Sequence, residues 1–401
     1  MKTTVRFAAV VAPILVICAA LTAASIHPAS SNGLTVHEWG TFTSVAGEDG
    51  ATIEWNTLGC SSDLPRFVND YGYRGFKWRL QGTVRMETPV MYFYSSRELD
   101  AHVTVSFPKG LITEWYPQAD YQVFQKSRVD GSMHRLESNL IGIDTSLRTL
   151  NGAMEWRDIK VQPNTSPAFP IEKDASRYYA ARETDAAPLA VGDQHEKFLF
   201  YRGVGRFPVP LSASVSPDGK IVVENRGLNP VPNVILFENR GGRMGYRNAG
   251  AVSGGVMLDS PELDSSLPVL RQELQSALVA QGLFPKEARA MLETWRDSWF
   301  EEGSRLIYIL PTAAVDGILP LQVEPAASGI VRVFVGRIEL VTPETKRSVE
   351  SAIARSDWPA VARYNRFLEP ILARIYPGNT AAVNRVEQLY RSSGAAGATC
   401  L

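Results

Sequence analysis

From Leu34 to Leu258 the chain is a succession of short β-branched and aromatic runs, punctuated by turn residues and free of helical periodicity. Thr83–Tyr94 is dense in Val, Thr, Met, Tyr and Phe, and Val103–Phe107 alternates apolar and polar residues as a half-buried strand does. Pro108-Lys-Gly110 turns the chain into Leu111–Tyr116. Further strands are expected at Met154–Val161, Lys197–Arg202 and Leu211–Val215; the tight turn Ser216–Gly219 then leads into Lys220–Asn225, and Val231–Glu238 follows. Short strands without intervening helices exclude a βαβ winding and predict an antiparallel β-sandwich-like body over 31–258. Residues 142–153 and 162–196, the latter with Pro163, Pro167 and Pro170, are expected to be long loops.

The pattern changes near Asp259. Leu270, Leu274 and Leu278 recur at helical spacing within 267–281, as do Ala288, Met291, Leu292, Trp295 and Trp299 within 286–300. Pro268 and Pro285 stand at the expected helix starts, where a missing N–H costs nothing. Two strands, Arg305–Leu310 and Ile330–Val341, precede three closing helices: one capped by Thr342, one over 358–376 and one over 380–391. The class is therefore α+β, with an α+β C-terminal region (259–401) whose strands are able to join the sheet upstream. A chain of 401 residues with 45% hydrophobic and 21% charged residues has ample material for a core.

Residues 1–24 read as a cleavable signal peptide: Lys2 and Arg6, an apolar run from Phe7 to Leu21 broken only by Pro13, then Thr22-Ala-Ala-Ser25 as a small-residue exit. Leu15-Val-Ile17 lacks the small residue that lipidation of Cys18 requires. A periplasmic or extracellular destination follows, with no membrane segment after cleavage. Of 41 Lys+Arg, two leave with the signal, so the remaining 39 face 42 Asp+Glu and no basic block stands out. Nucleic acid is a poor candidate partner on that balance. Cys60 and Cys400 remain after cleavage, and in an oxidising compartment an isolated pair predicts a disulfide.

Thr35-Val-His-Glu-Trp-Gly-Thr-Phe-Thr-Ser44 resembles the opening of an uncharacterised family of bacterial secreted proteins with a His-Glu-Trp-Gly-Thr-Phe-Thr-Ser signature. Arg85–Val90, Ile112–Pro117, Phe198–Gly205 and Val335–Glu339 resemble the same family. The resemblance implies a shared fold and export, and it brings no catalytic residue.

Within that signature His37 is the candidate metal ligand, although neighbouring Glu38 must point to the opposite face of a strand. A metal site there would need help from His102, His134 or His195. Glu-Trp pairs at 38–39, 54–55, 114–115 and 155–156 suit either a glycan-acting site or strands with one wet and one buried face. Ala251–Gly255 imitates a nucleophile elbow without its strand and helix, and reads as a hairpin loop. Arg337 and Glu339, two apart on a strand, can be neighbours, with Asp316 in the preceding loop. The preferred reading is an exported soluble protein whose β-sandwich binds a ligand or a glycan or envelope partner. Its competitor is an exported hydrolase, glycan-acting or metal-dependent, which requires Glu38, Glu87 and Glu114 to converge on one cleft. The cofactor, if any, is left open.

Overall fold

The computed structural model of the protein describes residues 33–58, 64–70, 80–127, 130–136, 150–173 and 176–394. The signal peptide, Cys60 and Cys400 lie outside the described residues.

The strands of the first half are β1 (Thr35–Gly47), β2 (Asn69–Asp70), β3 (Val84–Tyr94), β4 (Leu99–Phe107), β5 (Gly110–Tyr116), β6 (Asp120–Lys126), β7 (Met133–Leu136) and β8 (Leu150–Val161). There follow β9 (Leu189–Val191), β10 (Gln194–Glu196), β11 (Leu199–Gly205), β12 (Leu211–Val215), β13 (Ile221–Asn225), β14 (Val231–Arg240), β15 (Arg243–Val252) and β16 (Gly255–Leu258). The last three are β17 (Gly303–Ile309), β18 (Leu321–Glu324) and β19 (Gly329–Val341). Helices are α1 (Leu267–Ala280), α2 (Pro285–Thr294), α3 (Thr312–Ile318), α4 (Pro343–Ala354), α5 (Trp358–Ala362), α6 (Leu368–Ile375) and α7 (Thr380–Ser392).

The body is a β-sandwich. A nine-stranded sheet runs β15-β14-β17-β19-β1-β3-β11-β5-β2; a seven-stranded sheet runs β10-β9-β8-β4-β18, with β6 on β8 and β7 on β6; β12-β13-β16 form a third, smaller sheet. Between the two large sheets lies one core, to which the larger contributes Phe42, Met91 and Tyr201 and the smaller Val103, Phe107 and Trp156. Helices cover the other face of the nine-stranded sheet in two blocks. Leu270, Leu274 and Leu278 of α1 and Met291 of α2 pack on Ile235, Ile307 and Val333. Helices α4–α7 pack on Val45 and Val341. Each large apolar side chain buried this way contributes about 1.5–3 kcal/mol.

Strand β1 occupies the centre of this arrangement and is buried along almost its whole length. Its even-numbered residues, such as Val36 and Phe42, enter the sandwich core. Its odd-numbered residues, Trp39 and Val45 among them, face the helices. Pairing with β19 is parallel, and all the other strand pairs of the large sheet are antiparallel. Two glycines make that central pair fit: a Cβ on Gly40 would lie 2.6 Å from the Phe334 ring, and one on Gly336 2.1 Å from the Tyr308 ring. Phe334 in turn stacks on Phe42 at 5.1 Å.

The C-terminal strands β17 and β19 lie in the large sheet, between β14 and β1. Several expectations need correction. The parallel β1–β19 pair departs from an all-antiparallel body, and it requires the long crossover that the intervening chain supplies. The described end of the 142–153 loop, from Leu150, already belongs to β8, and 162–196 carries a 3₁₀ turn at Arg177–Arg182 plus β9 and β10. The helix expected over 358–376 breaks into α5, a 3₁₀ turn and α6 where Asn365 takes φ +42°. Pro268 and Pro285 do open their helices, and Thr342 caps α4 by accepting from the Thr345 N–H at 3.1 Å. Ser253 sits in the turn between β15 and β16, away from any strand-to-helix junction.

Candidate functional site

Side-chain alternation along β1 sends His37 and Glu38 in opposite directions. His37 faces the helices, packed between Tyr94 and Phe284, with ring centroids 5.3 and 4.5 Å away. Its Nδ1 lies 2.9 Å from the Oε2 of Glu287 in α2. That carboxylate, wholly buried, also accepts from the Phe284 N–H at 2.7 Å and the Tyr94 hydroxyl at 2.8 Å. Three donors converging on one carboxylate tie α2 to β1 and β3, so His37 is an anchoring residue. Among the described residues no group of three or more His, Cys, Asp or Glu is placed to hold a metal ion. His102 pairs instead with Glu155 at 2.6 Å on the other large sheet, and His134 with Ser132 at 2.7 Å.

The three nominated carboxylates do not converge. Glu38 enters the sandwich core, where Arg332 Nε donates to it at 2.6 Å and the Tyr201 hydroxyl at 2.5 Å. Burial opposes the Arg332 charge, but Glu38, Tyr201 and Asp316 together more than offset it and raise that guanidinium's pKa above its usual range. Burial and Glu38 together raise the Tyr201 phenol. Glu87 and Glu114 face the helix side, two strands apart, which is about 10 Å at normal strand spacing. Glu87 is held by Arg366 and by Thr43 at 3.2 Å, with Arg85 at 3.2 Å. Glu114 takes Thr113 and has Arg202 at 3.5 Å. All three are buried. Asp316 lies in α3 and joins Arg332 at 2.8 Å, away from Arg337.

Glu87 belongs to a larger buried network between the two helical blocks, in which three guanidinium groups meet three carboxylates. Arg305 Nε donates to Glu339 at 2.9 Å, and its other nitrogens donate to the carbonyls of Trp299, Glu301 and Glu302 at 2.6–3.0 Å. Arg337 reaches Glu301 at 2.6 Å and Glu339 at 3.3 Å. Arg366 joins Glu87 and lies 3.5 Å from Glu301, and both Arg337 and Arg366 stack over Phe367. Burial alone would raise Glu301, but Arg337, Arg366 and Arg305 hold its carboxyl below the ordinary range. Burial and its cationic neighbours lower Arg337 to about 10. Arg337 and Glu339 are neighbours, as their spacing on one strand requires.

The Glu-Trp pairs expose no sugar platform. Trp39, Trp55 and Trp156 are fully buried and Trp115 nearly so. Glu54 and Glu155 are partly exposed, paired with Arg206 and Arg157 at 2.5 Å.

A surface cavity of about 510 Å³ opens between the exposed face of α4, the α5 end and the β14–β15 turn. Helical spacing aligns Glu344, Arg347, Ser348, Ser351 and Arg355 along one side. Arg240, Glu302, Arg363 and Tyr364 also line it. Glu302 is engaged by the Gly241 N–H at 2.9 and 3.0 Å, and Glu344 by Arg347 at 2.5 Å. Arg240 lies 3.4 Å from Glu238 and 3.2 Å from Ser304. Arg355 touches only the Ser351 hydroxyl, and among the described residues neither it nor Arg363 pairs with a carboxylate. Sequence reading passed over this cluster, since a polar helical stripe with a distant Arg-Gly-Gly-Arg turn looks like ordinary solvated surface. The stripe at 344, 347, 348, 351 and 355 was the available signal.

No protein-family model matches the chain, and no curated protein matches it. Among solved structures, the yeast delta-COP-I mu-homology domain is similar at 9% identity, covering 77% of this chain and 96% of that chain, with a TM-score of 0.25. The same domain complexed with the Dsl1 WxWxV peptide gives the same values. A likeness that slight carries no argument about fold or function.

Proposed function

We propose that this chain is an exported, non-catalytic binding protein. The observation that carries the reading is the cavity beside α4. It lies within the size range of small-molecule sites, its lining is rich in guanidinium and hydroxyl groups, and its two carboxylates, Glu302 and Glu344, are held by the Gly241 N–H and by Arg347 rather than by Ser348 or Ser351. The charge-bearing opening of residues 1–24 and the signature at Thr35–Ser44 support the export half of the proposal.

The competing hydrolase draws no support from its nominated acids. A general acid needs a carboxyl that keeps its proton near neutral pH and a route to substrate. Glu38, Glu87 and Glu114 each have a guanidinium alongside and almost no solvent contact. The test is to incubate the mature protein with soluble glycans and phosphate esters and to follow binding and product together. Saturable binding without product is expected. Product formation that disappears in Glu38→Gln, Glu87→Gln or Glu114→Gln would overturn the proposal.

A further inference from the structure

Resting on the binding reading, we infer that the cavity beside α4 takes a phosphomonoester group, with Arg355 and Arg363 as its charge-bearing ligands. Four arginines and two glutamates line the cavity, and both glutamates are already engaged, by the Gly241 N–H and by Arg347. Arg347 faces Glu344 and Arg240 faces Glu238, so Arg355 and Arg363 are the two guanidinium groups of the lining without a carboxylate partner among the described residues, set against a charge of about −1.5 to −2 on a phosphomonoester near neutral pH. Arg363 is exposed, and its guanidinium faces Gly241, where a Cβ would sit 3.7 Å from Nη1. Arg355 donates to the Ser351 oxygen, which leaves that hydroxyl's own hydrogen free for a ligand. Ser348 reaches the Tyr364 phenol at the cavity floor. Burial raises that phenol, and it is a donor at neutral pH in any case.

This is a donor array in more than one plane. A carboxylate presents two coplanar oxygens and is satisfied by a single guanidinium fork. Two separate forks with hydroxyls between them suit the three outer oxygens of a tetrahedral phosphate. The same chemistry is offered by a soluble phosphate ester and by the headgroup of a phosphatidic acid.

Calorimetry on the full mature chain at constant ionic strength tests the inference, with sn-glycerol 3-phosphate and acetate as soluble probes and vesicles containing phosphatidic acid as the third. The wild type should bind glycerol 3-phosphate at least tenfold more tightly than acetate. Arg355→Gln/Arg363→Gln should lose at least tenfold of that affinity with an unchanged circular-dichroism spectrum, whereas Arg391→Gln, on α7 and outside the cavity, should retain it. Vesicle binding that is likewise lost in the double variant would identify a lipid headgroup as the source; soluble binding alone would identify a free ester. Equal affinity in the double variant, or equal affinity for acetate, overturns the assignment while leaving a binding role elsewhere intact. Release of inorganic phosphate from the probe overturns the binding reading itself.

Discussion

Two arginine-rich regions of this protein adjoin each other in the fold and behave in opposite ways. In the buried network Arg305, Arg337 and Arg366 each have a carboxylate within 3.5 Å, and Arg305 also satisfies three main-chain carbonyls. In the cavity beside α4, Arg355 and Arg363 face solvent with no carboxylate against them among the described residues. The two regions share a wall: Glu301 and Glu302 are adjacent, one turned into the network and the other toward the cavity. Desolvation makes the difference. A buried charge must be matched by the protein, so it holds the fold and has nothing left to offer a ligand. An exposed charge is matched by water, which a ligand can replace.

That contrast breaks most visibly if a network carboxylate is removed. Glu339→Ala leaves Arg305 without a carboxylate partner and Arg337 with one fewer, both in full burial, and should cost about 3–5 kcal/mol in urea unfolding. A loss below about 1 kcal/mol would mean the network is slack. Glu287→Ala is expected to cost about 2–3 kcal/mol, since it strands donors on His37, Tyr94 and Phe284; the same measurement checks it.

A subtler probe uses Glu369, a mostly buried carboxylate whose partner is the Asn56 N–H at 2.9 Å, with no guanidinium paired to it among the described residues. Burial, with Glu387 nearby, raises its carboxyl above the ordinary value. The folded state therefore holds the proton to higher pH than the unfolded chain, so this group's contribution to stability falls as pH rises through the carboxylate range. Glu369→Gln should match the wild type in acid and gain on it above that range; parallel stability–pH curves would remove Glu369 from the account. Glu301 carries the opposite sign. Its lowered carboxyl stabilises the fold above the unfolded value, and that stability is lost as pH falls through the folded one. The smallest effect on the fold is expected at Arg355→Gln, within about 0.5 kcal/mol of wild type.

Much of the architecture could be read from local pattern. Alternation along Val103–Phe107, the turn at Ser216–Gly219 and the cap at Thr342 are each set by neighbours in the chain. The opposed directions of His37 and Glu38 follow from the strand period alone. The partners of these residues were hidden, because they come from far along the sequence. Glu38 meets Arg332, His37 meets Glu287 and Glu87 meets Arg366, each across more than 200 residues. Pairing of β1 with β19 in parallel was hidden for the same reason. Acids such as Glu38 and Glu87 looked available for chemistry because a sequence shows a carboxylate without showing the guanidinium that neutralises it. The cavity was missed because its arginines are spread over the end of β14, helix α4 and the residues that follow α4 and α5.

The most direct test of the central claim uses two arginines three residues apart. Arg366 is buried on Glu87, and Arg363 is exposed on the cavity. Urea unfolding of Arg366→Ala and Arg363→Ala, each paired with glycerol 3-phosphate titration, should separate them: a loss of about 3–5 kcal/mol for the first, and under about 0.5 kcal/mol with at least tenfold weaker binding for the second. Equal stability losses in the two variants, or unaltered phosphate binding in Arg363→Ala, would contradict the account.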